Sequence, residues 1–165
     1  MFEPKDKVSE NEAIIALISD PIKTELSQRK RLFQAFDFCK ILKVSNVYKR
    51  EGNESQQQSE LVVVLRVSTS LDWQNLMRKL SNLQIRESKI FSKATLLTIN
   101  SEVLLLPGAT LPDPSLVQDR LILQCAAEVW GDYEHPVMNQ TLTELVKLYP
   151  TRDPIEFFSQ GAYLY

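Results

Sequence analysis

The side chains of this 165-residue chain that could do chemistry fall into four groups, and spacing decides what is open to each. The first is a set of cations, Arg86, Lys89 and Lys93, in a polar stretch. Such a set can hold an anion, although cations in a polar segment are also what a solvated surface displays. The second is a scatter of carboxylates, Glu87, Glu102, Asp113 and Asp119. A hard cation needs several converging oxygens. On a strand that convergence comes from a spacing of two residues, and Glu87 and Glu102 lie far outside it. Asp113 stands between Pro112 and Pro114, a setting that favours local backbone hydrogen bonds. Asp119 reads as a helix-surface charge offset by Arg120. The third group is Cys39, Cys125 and His135: the cysteines sit in separate apolar runs and the single histidine has no spaced partner. That argues against zinc and for two small buried hydrophobes, with a disulfide or reactive thiol as the alternative. The fourth group is aromatic. Trp73 and Trp130 read as helix-to-sheet packing residues, while Phe157, Phe158, Tyr163 and Tyr165 form a strip that either docks on a partner or folds back on its own core.

Composition narrows the classes. Hydrophobic residues make up 44% and charged residues 24%, as in an ordinary globular protein, and the length suits a single core. The net charge is -2, and the basic residues are scattered apart from Arg29, Lys30 and Arg31, so no broad footprint for nucleic acid exists. The acidic, polar start lacks a basic segment leading into an apolar one, and no run approaches the roughly 20 apolar residues of a membrane span. A cytoplasmic domain is the expectation, with neither nucleic acid nor membrane as partner.

The elements that must position these groups follow from periodicity. Glu12 to Ile18 is a short apolar run suited to a buried strand, and Ser19, Asp20 and Pro21 open a helix whose stripe is Leu26, Leu32, Phe33, Phe36 and Cys39. Ile41 to Tyr48 alternates like a half-buried strand, and Glu51 to Ser59 reads as an exposed loop. Leu61 to Val67, rich in β-branched residues, predicts a central strand buried on both faces. A second amphipathic helix opens after Ser70 and runs through Leu76, Met77, Leu80 and Leu83. Ala94 to Ile99 and Glu102 to Leu106 suggest a hairpin or a bent strand, Leu116 to Val129 has helical spacing, and Leu142 begins a short terminal helix. The order strand, helix, strand, strand, helix, strand predicts an α+β, ferredoxin-like βαββαβ sandwich with a largely antiparallel sheet and helices on one face. One domain over residues 11–150 is expected, with tails at 1–10 and 151–165.

Four segments in order carry a family resemblance. AIIALISD resembles a first strand and Gly-Ser-Asn turn; VSNVYKREG resembles a Val-Ser-Ser-x-Tyr-Arg-Thr-Glu segment. SELVVVLRVSTSLDWQNLM resembles a Phe-Leu-Asn-Ala-Val strand with its Thr-Ser-Leu helix entry, and LPDPSLVQDRLIL a Leu-Pro-His-Pro block followed by a short helix and Phe-Val-Leu. The family is 6-hydroxymethyl-7,8-dihydropterin pyrophosphokinase (HPPK), of folate biosynthesis, and the resemblance spans roughly residues 13–148.

The resemblance implies the HPPK fold and, for an intact member, transfer of pyrophosphate from ATP to the pterin with magnesium held by an Asp-x-Asp pair. Here the scaffold letters persist and the chemical ones do not. The metal-ligand positions fall on Lys93 and Thr95, in a segment, Phe91 to Ser101, without a carboxylate. The family's His position is Asp113, its Arg position Asp119, and its pterin-pocket positions are Glu60, Val62 and Leu121. Its basic catalytic loop is reduced to Arg86, Lys89 and Lys93, the remaining candidates for nucleotide binding. A catalytically degenerate, pseudoenzyme-like member that binds a protein or small molecule, without a cofactor, is the first expectation. The alternative is an active, divergent pyrophosphokinase using magnesium and ATP, with Asp113 as a metal ligand or acid-base residue.

Overall fold

The computed structural model describes residues 10–19, 34–51, 59–87, 92–150 and 155–160. The apolar run at the start becomes β1 (Asn11–Ser19), and the β-branched run becomes the long strand β4 (Glu60–Thr69). These two pair antiparallel along their whole length, Asn11 opposite Thr69 and Ser19 opposite Leu61. β5 (Lys93–Ile99) flanks β1, while β2 (Lys40–Val44) and β3 (Val47–Arg50) share the other side of β4. The resulting order, β5-β1-β4 and then β2 and β3, is antiparallel throughout, as the ferredoxin-like expectation requires. β8 (Ile155–Ser159) adds antiparallel to β3, so part of the aromatic C-terminal segment is a strand of this sheet.

The strand expected over Ile41 to Tyr48 is broken at Ser45 and Asn46. Ser45 N–H donates to the Val64 carbonyl at 2.9 Å, and its hydroxyl accepts the Val64 N–H at 2.9 Å. The side chain thus supplies a ladder bond that the bulge removes from the backbone, which is how Ser45 is buried without cost to satisfaction.

Period-2 alternation splits the sheet's side chains into two cores. Ala13, Ile15, Leu17, Leu61, Val63, Leu65 and Val67 face α1 (Trp73–Arg86), which buries Leu76, Leu80 and Leu83. Asp72 caps α1, its carboxylate accepting the Asn75 N–H at 2.8 Å, two residues later than the Ser70 start suggested by sequence. Of the first helix's expected stripe, Leu26, Leu32 and Phe33 lie outside the described residues, as does the basic triplet at 29–31. The chain is no longer helical by Ala35. Phe36 and Phe38 both pack on this core with ring centroids 5.3 Å apart, and residues two apart share a surface only off the helix.

The opposite face carries Ile14, Ala16, Val62 and Val64, and helices of the C-terminal segment cover it. The C-terminal segment adds a third layer. Leu116 to Val129 forms two helices, α2 (Ser115–Gln118) and α3 (Arg120–Trp130), because Asp119 is extended, with ψ 105°, and caps α3. A pattern of apolar spacing does not register one such residue. α3 packs on β4, and α4 (Leu142–Leu148), opened by a Thr141/Glu144 capping box, packs on α3 through Leu142 and Leu145. Glu102 to Leu106 does not pair with β5. β6 (Leu104–Leu106) instead makes a small hairpin with β7 (Ala109–Leu111) around Gly108, whose φ of 79° suits a residue without Cβ.

Candidate functional site

Cross-strand partners share a face of the sheet, so register alone assembles the candidate positions. Lys93 stands opposite Ile18, Ile18 opposite Val62, Val62 opposite Tyr48, and Tyr48 opposite Phe157. This row crosses five strands on the face that α3 covers. Thr95 lies one step along β5, opposite Ala16, and Glu60 lies beside Arg50 at the end of β4. Lys93, Thr95, Glu60 and Val62 therefore occupy one face at one end of the sheet. One strand separates Lys93 from Val62, a gap of about 10 Å.

Arg50 organises this end. Its Nε donates to Glu60 Oε2 at 3.0 Å, and its Nη1 to Asp119 Oδ2 at 2.7 Å. Burial would lower the guanidinium pKa, but the bonds and charges of Asp119 and then Glu60 raise it overall. The other oxygen of Asp119, Oδ1, accepts the N–H groups of Leu121 and Ile122, each at 3.2 Å. One carboxylate thus caps α3 and ties it to the sheet. Its ion-pair partner on the sheet is Arg50, and the guanidinium of the adjacent Arg120 lies 4.3 Å over the Tyr149 ring. Beneath this bridge, Val62 and Leu121 are 0% and 3% exposed.

A second polar tie lies beside it. The Tyr48 hydroxyl donates to Glu128 of α3, and the same carboxylate accepts the Asn46 N–H at 2.9 Å from the bulge. Burial, and next the Glu128 bond, raise the Tyr48 pKa, so the phenol remains a donor. Sequence inspection missed Arg50, Tyr48 and Glu128 as a unit. The signal was present in VSNVYKREG, where Tyr48 and Arg50 stand two apart and so share a strand face.

The remaining candidates do not converge. Asp113 makes the local turn expected of it: its Oδ1 accepts the Ser115 N–H at 2.9 Å and the Ser115 hydroxyl at 2.6 Å. Arg86 is exposed at the end of α1, the helix that covers the opposite sheet face, and Lys89 lies outside the described residues. Glu87 caps the C-terminus of α1 before β5 begins, whereas Glu102 follows the far end of β5, a strand about 20 Å long. These two cannot share an ion. Cys125 is fully buried and Cys39 half-buried, with burial pushing the Cys39 thiol to about 12 and the Cys125 thiol further up. His135 is buried as an acceptor, its Nδ1 taking the N–H groups of Val137 at 3.3 Å and Met138 at 3.2 Å. Trp130 lies 4.1 Å under the Arg66 guanidinium, whose Nη2 donates to Glu12 at 2.7 Å, and Trp73 packs on the α1 core.

Magnesium does not fit the positions that the resemblance assigns to it. Lys93 brings a cation that only donates, and Thr95 a single neutral oxygen, where a hard dication needs anionic oxygens. Among the described residues no three His, Cys, Asp or Glu side chains gather as a metal site, and no helix is long and apolar enough to cross a membrane.

No family model matches the sequence, and no curated protein matches it. Solved structures do. Wild-type HPPK-DHPS of Plasmodium falciparum with pteroate is similar over 86% of this chain and 42% of its own, with TM-score 0.70 at 13% identity. The same enzyme with pterin and p-hydroxybenzoate gives TM-score 0.70 at 12% identity, over 88% of this chain and 43% of that one. The fold is HPPK-like. At this identity the likeness concerns fold alone, and the chain spans less than half the length of those solved chains.

Proposed function

We propose that this HPPK-like chain does not transfer pyrophosphate and instead serves as a binding or structural module, cytoplasmic and independent of ATP and magnesium. The observation that carries the proposal is the bridge from Glu60 through Arg50 to Asp119. Glu60, Val62 and Leu121 are the positions matched to a pterin pocket. A pterin ring needs an aromatic face to stack on and complementary polar groups to read its edge. Those positions offer a carboxylate already neutralised by Arg50 and two aliphatic side chains closed inside the core. Opening them would break two charge-assisted bonds and expose apolar surface, with no aromatic ring from these three residues in return.

The metal half of the reaction is equally unsupported by the side chains of β5. The module's ligand is then a protein or a small molecule of another class. Binding tests this directly. Titration of 6-hydroxymethylpterin into the protein, followed by calorimetry with and without magnesium and an ATP analogue, is expected to give no saturable heat. Saturable binding that Arg50→Ala alters would overturn the proposal.

A further inference from the structure

We draw no further inference here: the strongest candidate, the apolar surface of the β6–β7 hairpin, where Val103 and Leu106 are exposed beside a Leu105 that is 86% exposed, carries nothing because no observation in the structure shows what covers it.

Discussion

At the residue scale, Asp119 does two jobs, and the two are separable by substitution. Asn keeps an oxygen for the α3 cap but loses the charge that faces Arg50, whereas Ala loses both. Asp119→Ala should cost about 2 kcal/mol and Asp119→Asn about 1 kcal/mol, since a cap is worth roughly 1 kcal/mol and a partly buried pair about as much. Urea unfolding gives both values; equal costs would mean that only the charge facing Arg50 matters. His135 makes a pH prediction. Burial lowers its pKa, and its Nδ1 must stay unprotonated to accept two backbone N–H groups. A depressed folded-state pKa means that this stability is fully present above the unfolded value of about 6.5 and is lost progressively as pH falls below it. Unfolding free energy should therefore drop between about pH 7 and pH 5.5, and His135→Gln should flatten that slope. Neither role was legible in sequence. Asp119 looked like a surface charge beside Arg120, because nothing in one-dimensional spacing brings β3 to the start of α3. Asp113 was legible, since its turn is made with neighbours in the chain.

At the scale of elements, β1, β4, β5, α1 and α4 were readable because each signals itself by local periodicity or a cap. What local patterns could not show was interruption and layering. The bulge at Ser45 exists because a serine hydroxyl replaces a backbone acceptor, and in sequence it looks like one more step of alternation. Ser45→Ala should leave the buried Val64 N–H unpaired and cost about 1–3 kcal/mol, measurable by urea unfolding, with amide exchange at Val64 accelerated. The turn between α3 and α4 is equally specific. A Cβ at Gly131 would lie 2.6 Å from Thr143 Oγ1 and 3.0 Å from the Ala127 carbonyl, and Thr143 Oγ1 itself donates to the Gly131 carbonyl at 2.9 Å. Gly131→Ala should lower the thermal midpoint by displacing Thr143, and combining it with Thr143→Ser should not restore stability, because the hydroxyl remains. The second helical layer escaped sequence reasoning because amphipathic helices announce that they have a buried face but not which side of a sheet receives it.

At the scale of the whole molecule, an HPPK-like fold is combined with side chains that serve the fold's own cohesion. The Glu60-Arg50-Asp119 bridge and the Tyr48-Glu128 bond both run between the sheet and α3, the layers that meet over the candidate positions. Polar groups spent on tying layers together are not free to read a ligand. The fold was legible because strand order and core pattern are written in apolar periodicity, and solved structures at 12–13% identity share that fold. The most direct test is magnesium-dependent formation of AMP from ATP and 6-hydroxymethyl-7,8-dihydropterin by the purified chain, beside an authentic pyrophosphokinase. The expected result is no AMP above the protein-free background from a folded sample. Robust turnover that disappears on chelation of magnesium would contradict the account.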